Sequence, residues 1–170
     1  HGFHATNGIS KKIHYQVRAL EANGVETHLC YLSEKQGIKY RMLDQEILAD
    51  YGDGIKGKLY KRFEFNSVFR YIIKNQIDLV YIRSDHNANP FTIRLVSKIK
   101  KAGIHVVMEI PTYPYDQEYI LSKGKIQLLI DKCFRKQLAK YLDRIITFSN
   151  YKTIFGICLL YTSDAADDKA

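Results

Sequence analysis

The chain has 170 residues, 46% of them hydrophobic and 26% charged, with a formal charge of +8. That size holds one ordinary domain, and that balance excludes disordered, fibrous and membrane-embedded classes. Three cysteines, Cys30, Cys133 and Cys158, stand far apart in no metal-ligand or redox spacing, which predicts reduced thiols in a reducing compartment. No apolar run approaches the ~20 residues of a membrane span and no charged-then-apolar leader precedes the first helix, so the expected address is cytoplasmic. The basic excess asks for an anionic partner, but Lys and Arg are scattered and not interleaved with aromatics as in a single-strand platform. The chain opens at His1, in turn-like sequence without a methionine, and the expectation is that residues precede it.

Ile9, Ile13, Val17 and Leu20 recur at helical spacing and Asn23-Gly24 supplies a stop, which predicts a helix over 9–23. A buried strand is expected over Val25 to Leu32. A polar stretch with Gly37, Gly52, Gly54 and Gly57 breaks the pattern around a short strand near Tyr40 to Leu48. Asn66 caps a helix through Val68, Phe69, Ile72 and Ile73, which leads into the apolar run Ile77 to Ile82. Asn89 and Pro90 are an N-cap and first-turn proline, Gly103 is a C-terminal stop, and Ile104 to Met108 is the next buried strand. A long basic helix over 125–142 precedes a last strand, Arg144 to Phe148. In that helix Ile126, Leu129, Ile130, Phe134, Leu138 and Tyr141 should face the core, and the basic side can rest on anionic lipid.

Helix and strand thus alternate, and several strands are continuous apolar runs, as a parallel sheet covered on both faces requires. The expected fold class is α/β, a doubly wound, mostly parallel sheet in one domain over 1–157. Residues 158–170 depart from this logic: LLYTSDAADD resembles a translated sequencing adaptor, and the segment is expected to be a non-native tail.

In an open parallel sheet ligands collect at the carboxyl ends of the strands. Those ends are polar here: Arg83-Ser84-Asp85-His86 after one strand, Glu109 to Asp116 after the next, and Ser149-Asn150-Tyr151 after the last. Carboxylates accept hydrogen bonds from hydroxyl groups and tyrosine faces cover the apolar side of a sugar ring, so a polyhydroxylated ligand suits them.

The ordered strings NGISKKIHYQVRALEANGVETHL, DLVYIRSD, GIHVVMEIPTYPYDQE and YLDRIITFS resemble the N-terminal domain of family-four glycosyltransferases, particularly bacterial polysaccharide-assembly enzymes, over nearly all of residues 1–157. The resemblance implies the Rossmann-like acceptor half of a GT-B enzyme. Such an enzyme moves a sugar from a nucleotide-sugar donor to a saccharide or lipid-linked acceptor with retention, usually without a metal and with no further cofactor. It implies a central first strand of which only His1-Gly2-Phe3 is present, and a second, donor-binding domain beyond this sequence. A lipid-linked acceptor fits the basic side of helix 125–142 resting peripherally on the inner face of the cell membrane, and the scattered basic residues favour no nucleic-acid partner. Without its middle strand and second domain, the chain alone is expected to be aggregated or molten, and inactive.

Acceptor-binding candidates are Arg83, Asp85, Glu109, Tyr113, Tyr115 and Asp116, and Gly8 matches the glycine that lets backbone amides approach the donor diphosphate. Arg83 and Glu109 should end neighbouring strands and pair. No catalytic residue is assigned, because the histidine that many relatives carry after this strand is absent and Pro111 lies nearby. Asp85 with His86 reads as a solvated loop, and His14, His28 and His105 are given no chemistry. Two other classes compete. A nicotinamide-dependent oxidoreductase is disfavoured because the first turn has no G-x-G-x-x-G. A non-catalytic basic α/β module for nucleic acid or a phosphorylated ligand would show steep salt dependence.

Overall fold

A computed structural model describes residues 8–83, 88–116, 124–148 and 151–161. It divides between Val68 and Phe69 into two compact units. The first holds α1 (Gly8–Ala22), β1 (Cys30–Lys35), β2 (Ile38–Leu43), β3 (Glu46–Asp50) and α2 (Gly54–Phe63), and the division falls within α3 (Asn66–Lys74). The second holds β4 (Leu79–Arg83), α4 (Pro90–Lys101), β5 (His105–Glu109), α5 (Lys125–Ala139), β6 (Arg144–Thr147), β7 (Thr153–Ile154) and β8 (Ile157–Tyr161). Among the described residues no helix is long and apolar enough to cross a membrane.

The first unit corrects the sequence reading. A buried parallel strand over Val25 to Leu32 is not found: Val25 is exposed, and β1 begins at Cys30 as the first strand of an antiparallel β1-β2-β3 meander. Two two-residue turns build it, Gln36-Gly37 and Asp44-Gln45, in each of which both residues have positive φ. That backbone matches the right-handed twist of the strands it joins. β2 then sends Lys39 and Arg41 inward. Arg41 donates from Nε to the Tyr51 hydroxyl at 2.8 Å and from Nη2 to the Lys61 carbonyl at 3.2 Å, and its guanidinium lies 5.1 Å from the Phe65 ring centroid. The helix α2 was read as a glycine-broken loop. Gly57 is buried in it because a Cβ there would come within 2.4 Å of the Gly52 carbonyl oxygen, so the glycine marks close backbone approach and not a break.

The second unit follows the sequence reading more closely. Asn89 caps α4, its side chain accepting from the amides of Phe91 and Thr92 at 3.0 Å each, and Gly103 ends that helix at φ +81°. β4, β5 and β6 pair in parallel, with Leu79 opposite His105 and Val107 opposite Arg144, and β8 adds in parallel to β6. Among the described residues the strand order β4-β5-β6-β8-β7 leaves β4 at one edge. Asp143 sets the register of β6: its carboxylate accepts from the Val106 amide at 2.8 Å and pairs with Lys100, while its own amide donates to the Val106 carbonyl.

The second unit is an α/β unit whose two crossover helices lie on one face of its parallel strands. Two successive right-handed crossovers in the same direction put α4 and α5 on one face, and the two helices touch. On that face Val106, Met108, Ile110 and Ile145 are fully buried with Val96, Ile99 and Leu138. On the other, Leu79 is 51% and Tyr81 41% exposed. Glu109, on the same face at the carboxyl end, is 0% exposed. Val107, opposite Tyr81 on that face, is buried, so the face is open at β4 and covered from β5 inward. In α5 the buried stripe contains Asp131 and Leu138, while Ile126 and Leu129 stand in solvent, so the helix is rotated from its expected facing. β8 crosses the expected boundary at Ile157, since its backbone continues the ladder to Tyr161. Residues 1–3, the expected remnant of the first strand, and 162–170 lie outside the described residues.

Candidate functional site

The parallel register brings Arg83 directly opposite Glu109. Both end their strands, so both side chains stand on the same face and at the same edge of the sheet. Arg83 Nη1 lies 3.2 Å from Glu109 Oε1. The approach is ionic but not aligned, and neither of those two buried atoms has a hydrogen-bond partner. The other carboxylate oxygen is held: the Tyr81 hydroxyl donates to Oε2 at 2.5 Å. Tyr81 was not among the sequence candidates, though its signal was present. It lies two residues before Arg83 on one strand, hence on the same face, within diagonal reach of the neighbouring strand end.

The loop after β5 is tied down by α5. Tyr115 is buried and its hydroxyl donates to Asp131 Oδ2 at 2.8 Å. Asp131 also accepts from Arg135 Nε at 2.6 Å and, through Oδ1, from the Ala88 amide at 2.9 Å. Asp116 binds Arg135 Nη2 at 2.7 Å and Lys132 Nζ at 2.9 Å. The Arg135 guanidinium stacks on the rings of Tyr115 and Phe155, at 4.8 and 5.4 Å from their centroids. Burial pulls the Arg135 pKa down, but the hydrogen bonds it donates to Asp116 and Asp131 outweigh it and hold the pKa well above the ordinary arginine range. Burial likewise raises Asp116, and the donors Arg135 and Lys132 win, holding its carboxyl below the usual range. Tyr115 and Asp116 are thus engaged in holding the loop. Asp131 was missed as their partner, although its i, i+4 spacing to Arg135 is a readable ion-pair signal on a helix.

Tyr113, whose bond to Pro114 is cis, meets Tyr115, Tyr151 and Phe155 edge-to-face at centroid distances of 6.0, 5.2 and 6.1 Å. Tyr151 keeps 48% of its surface exposed. Phe155 sits at φ +55°, a conformation uncommon for a bulky residue, in the two-residue turn between β7 and β8. The structure therefore assembles Arg83, Glu109, Tyr113, Tyr115 and Asp116 on or after strands of one sheet. Asp85 and His86 lie outside the described residues. Gly8 opens α1 in the other unit, with an ordinary φ and nothing within 4 Å of where a Cβ would stand, so neither packing nor backbone demands a glycine there.

A cavity of about 380 Å³ lies at the opposite, amino ends of β4 and β5, between Ile72, Ile77, Ile104 and His105. It shares no residue with the strand-end cluster, and ligands of open parallel sheets collect at the carboxyl ends, so the cluster is the better candidate. Among the described residues no three His, Cys, Asp or Glu side chains gather where they could hold a metal ion. Compared with known proteins, the chain matches no protein-family model, no curated protein and no solved structure.

Proposed function

We propose that this chain is the acceptor-side part of a two-domain retaining glycosyltransferase. In this reading the enzyme moves a sugar from a nucleotide-sugar donor to a saccharide or lipid-linked acceptor in polysaccharide assembly, in the cytoplasm and at the inner membrane face. The observation that carries it is the Arg83–Glu109 pair: a fully buried carboxylate and a guanidinium at the carboxyl ends of adjacent parallel strands, each with an unsatisfied atom. Buried polar atoms of native proteins nearly always have partners, and an exception in the ligand crevice of a parallel sheet points to a ligand. The half-exposed Tyr151, packed on Tyr113 beside that edge, supports a sugar, because an aromatic face complements the apolar face of a pyranose. Chemistry is assigned to the donor-side domain that the resemblance implies, and this half is given binding and orientation of the acceptor.

A basic nucleic-acid module has less support, since Lys132 and Arg135 are already engaged by Asp116 and Asp131. The test is to read the source gene beyond both ends of this sequence, express the whole reading frame, and follow nucleotide release from a panel of nucleotide sugars with lipid-linked and free saccharide acceptors. A second α/β domain carrying two glutamates eight positions apart, with acceptor-dependent release, is expected. A frame with no such domain and no release from any donor overturns the reading.

A further inference from the structure

The charges around the unsatisfied atoms restrict what can bind between them. A phosphate or carboxylate brought to Arg83 Nη1 would stand against the Glu109 carboxylate 3.2 Å away, and an ammonium group brought to Glu109 would stand against Arg83. A neutral hydroxyl meets neither objection. Its hydrogen goes to Glu109 Oε1 and its oxygen accepts from Arg83 Nη1, so one group satisfies both atoms, at about 2.7–2.9 Å from each. The other oxygen of Glu109 is occupied by the Tyr81 hydroxyl, which fixes the carboxylate and leaves Oε1 as the acceptor on offer.

We propose that Tyr81, Arg83 and Glu109 form a recognition site for a neutral alcohol, a ring hydroxyl of an uncharged sugar, with Tyr81 as its gate. Both unsatisfied atoms are shielded from solvent, whereas Tyr81 is 41% exposed. Rotation of its ring releases the hydrogen bond to Glu109 while a ligand passes, and the bond re-forms to fix the carboxylate once the ligand is seated. The site thus excludes charged ligands by its own paired charges and admits the uncharged one after a side-chain rotation. This deepens the transferase reading and rests on it for the ligand's identity as acceptor, but the site itself is tested by binding alone.

The experiment titrates the full-length protein with methyl glucoside, methyl galactoside, methyl mannoside and inorganic phosphate, followed by saturation-transfer NMR. At least one hexoside should bind and phosphate should not. Glu109→Gln, which keeps the shape but loses the charge-assisted acceptor, should weaken that hexoside about tenfold or more. Tyr81→Phe, which removes the hydroxyl that closes the gate, should raise the hexoside's association rate in stopped-flow mixing, and an unchanged rate overturns the gate. Where Glu109→Gln does not fold, Arg83→Lys supplies the same test, with a loss of similar size expected. Three results overturn the proposal: no hexoside bound, phosphate bound and tightened by Glu109→Gln, or hexoside affinity unchanged in both Glu109→Gln and Arg83→Lys. A protein that binds hexosides but releases nucleotide from no donor overturns the transferase reading alone. A transferase whose acceptor KM ignores Glu109→Gln overturns this site alone.

Discussion

Arg135 shows how a single side chain can hold a loop. It spans Asp131 and Asp116 and stacks on two rings, and both it and Asp131 are largely buried. Replacing it with Met should cost about 3 kcal/mol in a urea melt, because it leaves the Asp131 carboxylate buried without its counter-ion. Arg135→Lys should recover part of that loss. Asp116 and Asp143, with Glu64 in the first unit, carry the acid sensitivity. In Asp143 burial raises the pKa, but the hydrogen bond and charge of Lys100 and the Val106 amide win and hold the carboxyl below its usual range. A carboxyl whose folded pKa is depressed contributes stability that is full above its unfolded value of about 4 and is lost as pH falls through the folded pKa. Denaturant midpoints should therefore be flat from pH 7 to 5 and fall below about pH 4, and Asp143→Asn should flatten that fall. The two glycines of opposite standing give a third test. Gly57→Ala should destabilise by about 1–3 kcal/mol, since its methyl meets the Gly52 carbonyl. Gly8→Ala should leave thermal stability within about 0.5 kcal/mol, since its methyl meets nothing.

At the scale of elements, legibility in the sequence followed how local the cause was. The helix over Pro90–Lys101 was readable to within two residues because Asn89, Pro90 and Gly103 act on their own turns. The strands before Arg83 and Glu109 were readable from apolar runs, and their pairing followed from parallel order. The antiparallel meander was not, because Gln36, Asp44 and Gln45 adopt positive φ without the Asn-Gly or Asp-Gly signature that announces such turns. The helix α2 was lost because a glycine that permits close approach and one that breaks a helix look the same in sequence. Of the site, Arg83 and Glu109 were legible as strand ends. Tyr81 and Asp131 carried local signals, but their bonds to Glu109 and to the Ala88 amide, 28 and 43 residues away, depend on the fold. The edge strand makes its own prediction. Among the described residues β4 has a neighbour on one side and the exposed, apolar Leu79 at its start, which is an invitation to pair with another chain. Leu79→Lys should lower light scattering at a given concentration without shifting the melting temperature by more than a degree or two.

The whole molecule shows a marked excess of apolar side chains in water. Ile9, Tyr15, Leu20, Ile55, Leu59 and Phe63 are exposed in the first unit, and Leu79, Tyr81, Ile126 and Leu129 in the second. Folded monomers seldom leave so many large apolar groups uncovered unless another surface meets them. The 170 residues expressed alone should therefore bind a hydrophobic dye strongly and melt without a sharp transition, so the melts of the variants and the amide exchange are measured in the full-length protein, and a soluble monomer of the 170 residues with a cooperative melt would refute that expectation. The position of β5 between β4 and β6 has a consequence in time as well as in space. Its amides are bonded to neighbours on both sides, whereas every second amide of β4 points away from the sheet. In heavy water the chain should label in sequence: alternate amides of β4 within seconds, and those of Val106 to Met108 last of all, only when the sheet itself opens. The carboxylate of Glu109 is anchored at the end of that slowest strand, so deuterium uptake there would clock how long the proposed site keeps its shape.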